Sequence, residues 1–510
     1  MGTLVDLLRS ADKDNISVII PGNEPLMVSH LTLEHHIKSC QQQLANLGIF
    51  PGAAVSIALP NSLEFIISFL ASAWQRGIAA PLNPAYKQDE FEFYIDDLGA
   101  TAVIVPRGAH EKDSPAVRAA RKYEAAVVEC YWSEDQMMFD VKEKGKLDSS
   151  EAMHLNEPHV DDIALVLHTS GTTGKPKAVP LTHKNLIGSM EDNICQTYSL
   201  QSADRTMLVM PLFHVHGLVA SFLSPLRAGS AIIIPSRLIP AFWTDFALYG
   251  ATWYTATPTL HKVLLSFRQP EKMPYVRFIR SCSSPLSQQL LMMLEERFAA
   301  PVLEAYAMTE ASHQITSNPL PPASHPPGSV GIPRGDIKIR IVGVEGGEVA
   351  SGDEGEVCVR SPAVMTGYLS NPEGNASAFT GDGFFRTGDY GKRDEDGYLY
   401  LTGRIKEFIN KGGEKISPVE LDSVIARHHA VAEIVSFAID DEMYYQDVGV
   451  AVILKDGETM SAKDLQKWMR ERVAPHKIPK KVWFPAEIPK TATGKLQRKL
   501  VAEKMVREEE

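Results

Sequence analysis

Leu167-His168-Thr169-Ser170-Gly171-Thr172-Thr173-Gly174-Lys175-Pro176-Lys177-Ala178-Val179 packs hydroxyls, glycines and two lysines into one short stretch. Just upstream, Ile163-Ala-Leu-Val-Leu167 has the composition of a buried strand. Glycines let the backbone close on a ligand without a side chain in the way. The loop N–H groups and the hydroxyls of Thr169, Ser170, Thr172 and Thr173 can donate to phosphate oxygens, and Lys175 and Lys177 add charge. The spacing is not that of a Walker A loop, since the glycines stand too close and no Gly-Lys-Ser/Thr follows. Taken alone, such a loop is an ordinary surface turn. Its meaning depends on what accompanies it.

Upstream of the loop, strand-like and helix-like patterns alternate. Residues 55–59, 78–82 and 102–105 read as strands, residues 63–75 as a helix and residues 88–97 as an acidic amphipathic run. That alternation implies βαβ units and parallel sheet. Residues 143–162 are polar and mixed, and read as a connector. Downstream, residues 207–210, 231–234, 253–256 and 302–306 read as strands, 278–286 as strand then turn, and 288–298 as a helix. From 330 to about 401, short strands punctuated by glycine suggest a β-rich subdomain, and 406–510 a lysine-rich α+β unit. The expected fold is α/β: a large N-terminal domain of several sheets and a small mobile C-terminal one.

At 510 residues the chain is too long for one compact core. Hydrophobic content of 44% and charged content of 22% are those of a globular protein. A net charge of -12 argues against nucleic acid as a partner. No apolar run is long enough for a transmembrane segment. Neither a secretory signal nor a complete myristoylation signal precedes residue 6, and the last residues are not Ser-Lys-Leu. The expected location is therefore cytoplasmic, with peroxisomal import by another route left open. Five scattered cysteines, Cys40, Cys130, Cys195, Cys282 and Cys358, fit a reducing compartment and lack metal-like spacing.

Four further segments give the loop its context: Glu304-Ala-Tyr-Ala-Met-Thr-Glu310, Phe385-Arg-Thr-Gly-Asp389, the stretch Gly403-Arg-Ile-Lys-Glu-Phe-Ile-Asn-Lys-Gly-Gly413, and Pro489-Lys-Thr-Ala-Thr-Gly-Lys495. In this order they resemble the motifs of the adenylate-forming superfamily, which includes acyl-CoA synthetases. The resemblance implies an ATP-dependent acid–CoA ligase that uses ATP, Mg²⁺ and coenzyme A with a small carboxylic acid. It assigns the 169–175 loop (Thr169, Ser170, Gly171, Thr172, Thr173, Gly174 and Lys175) to ATP, Glu310 to Mg²⁺ and Thr309 to the α-phosphate. Tyr306 is expected to stack on adenine, Asp389 to accept from the ribose hydroxyls and Arg404 to touch the nucleotide. Lys495 is expected to bridge carboxylate and phosphate, and His214 to move between the two reaction steps. Lys406 would be the hinge between domains 1–403 and 404–510, and Gly412 and Gly413 would pass the pantetheine arm of CoA.

Several stretches, among them Ala80-Pro-Leu-Asn-Pro-Ala-Tyr86 and Pro211-Leu-Phe-His-Val-His-Gly217, resemble oxalate–CoA ligases in particular. Oxalate carries a second carboxylate next to the reacting one, so the pocket floor would have to face an anion. The resemblance puts Ser283, His216 and His313 there, all donors where tail-binding relatives usually have glycine or apolar residues. The alternatives are a ligase for an aromatic or medium-chain acid, and a non-catalytic nucleotide-binding relative.

Overall fold

The computed structural model describes residues 2–9, 11–148, 155, 157–169, 175–235, 241–270, 274–491, 494 and 496–507. Among these the strands form four sheets, of nine, seven, four and five strands. The fold is mixed α/β, as the alternation implied. In the seven-stranded sheet Ala54–Ile57, Ile78–Pro81, Ala102–Pro106, Ala126–Ser133 and Ile163–Thr169 run parallel. The nine-stranded sheet has a parallel centre that includes Arg205–Met207, Trp253–Ala256, Phe278–Cys282 and Val302–Met308. His313–Ser317 then adds antiparallel to Val302–Met308.

The two large sheets share one core, and the helix Leu63–Trp74 lies in it. Ser62 caps that helix by accepting from the Phe65 N–H, and every helical residue except Glu64 is buried. A helix apolar all round belongs inside, not on a surface. The core to which it belongs draws on both sheets: Val55 and Leu165 from one, Trp253 and Phe278 from the other. Phe69 meets Phe222 of the π-helical segment His216–Leu223 edge-on at 6.1 Å. Each such ring contributes roughly 1.5–3 kcal/mol through burial.

One expected strand is shorter than its composition suggested. Residues 207–210 were read as extended, but the strand is Arg205–Met207. Beyond it, Asn61 draws the backbone away from the sheet. Its amide donates to the Met210 carbonyl at 3.0 Å and accepts from the Leu212 N–H at 2.8 Å. The turn this makes is closed by Gly217, where a Cβ would lie 2.2 Å from the Pro211 carbonyl oxygen. It delivers His214 and His216 to the end of the nine-stranded sheet.

The four-stranded antiparallel sheet joins Lys338–Val342, Gly355–Arg360, Phe385–Arg393 and Leu399–Arg404. The five-stranded one follows, built around the long pair Val431–Asp441 and Tyr445–Leu454 with its own apolar core. No helix among the described residues is long and apolar enough to cross a membrane. All five cysteines are free.

Five histidines, His30, His183, His216, His261 and His313, are buried, and burial holds each below its ordinary pKa. His183 takes the Leu4 N–H on Nδ1 at 3.0 Å and is pushed down to about 4. A folded pKa below the unfolded one means that stability is intact above pH 6.5 and is lost as pH falls toward 4, by about 3 kcal/mol for this group. Thermal melts should therefore fall over that window, and fall less in His183→Asn. Equal falls in the two proteins would remove His183 from the account.

Candidate active site

The loop expected to take phosphate joins two antiparallel strands, Ile163–Thr169 and Lys177–Thr182, whose last pair is Thr169 opposite Lys177. Residues 170–174 lie outside the described residues, so the assignments at Ser170, Gly171, Thr172, Thr173 and Gly174 concern positions the structure does not describe. Thr169 is partly buried and Lys175 exposed. The upstream strand is fastened by His168, whose Nε2 lies 2.9 Å from Asp97 on the helix Gln88–Asp97. Downstream, Lys177 sits over the Tyr368 ring at 4.4 Å, and the Tyr368 hydroxyl donates to Glu310 at 3.1 Å. Tyr368 thus ties the loop to the second motif.

Glu310 is 8% exposed and its carboxyl is raised above the usual range by burial. It follows Thr309 in a short 3₁₀ turn. A buried carboxylate with one hydroxyl partner suits a cation. Among the described residues no cluster of three ligating side chains could hold a metal unaided. Mg²⁺ takes one or two carboxylates and completes its shell with phosphate and water, and Glu310 has the chemistry of one such ligand.

Asp389 forms the second centre. The Tyr306 hydroxyl donates to one carboxylate oxygen at 2.5 Å and Arg404 Nε pairs with the other at 2.9 Å. Arg404 leaves its side chain 44% exposed while Asp389 shows only 6%. The Tyr306 ring is buried in the small core of the four-stranded sheet. Two charge-assisted contacts fix the carboxylate's orientation.

Lys406 stands between two anchors. On one side Arg404 is tied to Asp389. On the other, Glu407 pairs with Arg498 at 3.0 Å, and Arg498 also holds Asp422 at 2.7 Å and the Ser436 carbonyl at 2.8 Å. Gly412 and Gly413, both at positive φ, form the two-residue turn between Ile409–Lys411 and Glu414–Ile416. Positive φ at both positions is the type I′ form of a two-residue hairpin, which accounts for two glycines on conformational grounds alone. The last motif reaches the large sheet region at Gly494, whose carbonyl accepts from the Thr259 hydroxyl at 2.9 Å. Lys495 itself is outside the described residues.

The three residues expected at the pocket floor converge. His216 Nδ1 lies 3.1 Å from Ser283 Oγ, and the His216 and His313 rings stack with centroids 5.1 Å apart. His214 belongs to the same turn and accepts the His216 N–H on Nδ1 at 3.2 Å. Ser283 and His313 both sit at positive φ, +75° and +97°. Non-glycine residues held there cost on the order of 1–3 kcal/mol each and cluster at functional sites. The centre of the cluster is a residue that sequence reading passed over, Arg280, which is fully buried on the strand Phe278–Cys282. It donates to Tyr198, Thr255, His216, His313 and Gln314. The available signal was an arginine inside an otherwise buried strand, where an unpaired charge is expensive. Tyr368, also missed, left no such signal.

Residues 12–369 match the family of AMP-binding enzymes, and residues 420–495 match the AMP-binding enzyme C-terminal domain. An oxalate–CoA ligase of Saccharomyces cerevisiae is 41% identical over 96% of this chain and 94% of its own. One of Arabidopsis thaliana is 43% identical, over 96% of this chain and 97% of its own. Among solved structures, ATP-bound MatB from Rhodopseudomonas palustris superimposes with a TM-score of 0.87 at 26% identity, covering 98% of both chains.

Removing the hydroxyl in Tyr306→Phe leaves Asp389 held by Arg404 alone. Hydrogen bonds to charged groups contribute about 1.5–3 kcal/mol, so AMP affinity measured by calorimetry should drop about tenfold or more. Unchanged affinity would mean that Tyr306 does not position the carboxylate.

Proposed function

The chain belongs to the family of AMP-binding enzymes, and from that premise we propose that it joins oxalate to coenzyme A through an oxalyl-adenylate, with cleavage of ATP to AMP and pyrophosphate. The observation that carries the choice of acid is the polar cluster of Ser283, His216 and His313 around buried Arg280. An alkyl or aromatic tail would need apolar walls at that point. The likeness to the two oxalate–CoA ligases supports the same reading.

In the first step a carboxylate oxygen attacks the α-phosphorus, and pyrophosphate leaves. An anion meets a polyanion here, so the repulsion has to be neutralised before in-line geometry helps. Two unit charges ~4 Å apart interact by ~4 kcal/mol at an effective dielectric of ~20, so each placed cation matters. Lys175 and Lys177 flank the loop, and Lys495 is assigned to bridge carboxylate and phosphate. Glu310 would hold Mg²⁺, which supplies further charge to the phosphates. Asp389 would take the ribose hydroxyls, Arg404 the nucleotide, Thr309 the α-phosphate, and Tyr306 would adjoin adenine.

In the second step the CoA thiolate attacks the oxalyl carbonyl carbon and AMP leaves. We assign the change between steps to rotation of residues 404–510 about Lys406, which withdraws Lys495. The contacts on either side of Lys406 support this pivot, because they restrain Arg404 and Glu407 to different parts of the molecule. His214 would shift with the change, and Gly412 and Gly413 would border the thiol path.

The acid is tested with a panel of oxalate, malonate, a medium-chain fatty acid and a cinnamate-type acid, by acid-dependent ATP–pyrophosphate exchange. Oxalate should be preferred, and His313→Ala should lower kcat/KM for oxalate about a hundredfold, with the KM for ATP little changed. Preference for the fatty or aromatic acid would end the oxalate assignment. The division of labour is tested on the half-reactions. Lys495→Ala should abolish pyrophosphate exchange yet keep thioester formation from pre-made oxalyl-adenylate. Lys406→Pro, with φ fixed, should do the reverse and spare adenylation. Equal loss of both halves in either variant would refute the separate-step roles.

A further inference from the structure

Arg280 holds a full positive charge inside the nine-stranded sheet, and none of its contacts among the described residues is a carboxylate. Its five N–H bonds have five acceptors. Nε donates to the Tyr198 hydroxyl at 2.8 Å. Nη1 donates to Thr255 Oγ1 at 3.1 Å and toward His216 Nε2 at 3.3 Å. Nη2 donates to His313 Nε2 and to Gln314 Oε1, each at 3.0 Å. A guanidinium has no lone pair to offer, so each imidazole nitrogen facing it must be bare.

At His216 a second contact agrees. Thr255 Oγ1 accepts from Arg280, so its own hydrogen turns to His216 Nε2 at 2.7 Å. The His216 proton is then on Nδ1, where it is donated to Ser283 Oγ at 3.1 Å. Ser283, accepting that bond and only partly buried, keeps its own hydrogen to give away. At His313 the same argument places the proton on Nδ1. That atom is buried and has no hydrogen-bond partner among the described residues. Burial and the Arg280 charge both hold the two rings neutral.

We propose that Arg280 is the positioning residue of the acid site: it fixes His216 and His313 as Nδ1–H tautomers, so that His313 directly and His216 through the Ser283 hydroxyl present donors to the second carboxylate of a diacid whose carboxylates are adjacent. The inference rests on the oxalate reading of this pocket. Both imidazoles then offer the site an N–H, directly or through Ser283, and neither offers it a bare nitrogen. A carboxylate satisfies both, whereas a tail with a donor of its own meets another donor. The free charge of Arg280 faces the same anion through the two rings, without contacting it.

The full-length protein, labelled with ¹⁵N-histidine, tests this directly, because protonated and bare imidazole nitrogens resonate far apart. The signals of His216 and His313 are identified by their loss in His216→Asn and His313→Asn. Nδ1 should be protonated and Nε2 bare at both. A protonated Nε2 at either ring, in an enzyme that activates oxalate, overturns the role of Arg280 and leaves the oxalate reading standing. Wild-type enzyme inert toward oxalate overturns the ligand named here, whatever the tautomers. Arg280→Met and Arg280→Lys add the kinetic side. A variant that loses the Nδ1–H tautomers should raise the KM for oxalate about tenfold or more while the KM for ATP stays put, and one that keeps them should keep both. Tautomers and oxalate KM that part company in a folded variant overturn the proposal, and a variant that fails to fold leaves the wild-type spectrum as the decisive measurement.

Discussion

A guanidinium removed from water has to have its donors met, or the segment that carries it will not stay inside. Arg280 meets this demand with five side chains from four separate stretches: Tyr198 beyond the π-helix Ser189–Cys195, His216 on the π-helix His216–Leu223, Thr255 on the neighbouring strand, and His313 and Gln314 on the antiparallel strand beyond. The cluster is secured from outside as well. Asn193 donates to the Gln314 carbonyl at 2.6 Å, and Ser189 to the Ser312 carbonyl at 2.6 Å. Ser312 in turn donates to the Ala363 carbonyl at 2.8 Å. One buried charge therefore sets the positions of strand ends, both π-helical segments and the chain that leads to Tyr368.

What the sequence makes legible follows from how local each signal is. The strand before the loop, the helix Leu63–Trp74 and the helix Gln288–Phe298 are contiguous patterns of apolar residues, and the structure has them within a residue or two of where composition put them. The end of Arg205–Met207 was not legible, because it is set by Asn61, well over a hundred positions away in the chain. The same holds within the site. Ser283, His216 and His313 stand out in motifs and do come together. Arg280 and Tyr368 act through partners distant in sequence, and their neighbours in the chain give no hint of those partners. The glycines 412 and 413 show the converse, since a clear motif there has a conformational cause sufficient by itself.

The cluster proposed for the nucleotide is organised differently from the one proposed for the acid. Asp389, Tyr306 and Arg404 form a short chain of charge-assisted contacts that ends at the surface, with Arg404 partly exposed two residues before Lys406. Glu407, one residue after Lys406, is bound to Arg498, whose other partners all lie within the five-stranded unit. The backbone between these anchors is the short 3₁₀ turn Ile405–Glu407, exposed and without a buried side chain. A rotation there would have to exchange the hydrogen bond from buried Ser417 to the Thr402 carbonyl. It would also have to exchange surface contacts such as the Tyr390–Phe408 ring pair and the Thr259–Gly494 hydrogen bond.

The Ser283, His216 and His313 cluster is held rigidly, and its backbone bears the marks of that constraint. Ser283 and His313 both occupy positive φ, where glycine would be relaxed. Glycine at either place would remove strain, but it would also remove a hydroxyl or an imidazole that the Arg280 network holds in place. The strain is stable because the surrounding bonds over-determine it: the Ser312 carbonyl, next to His313, accepts from Ser189, and Ser283 is pinned through His216 to Thr255 and Arg280. A donor kept at a position that favours glycine fits the proposed recognition of an anion, which would outweigh backbone comfort. On that proposal the specificity of the pocket lies in residues that local conformational preference alone would have replaced.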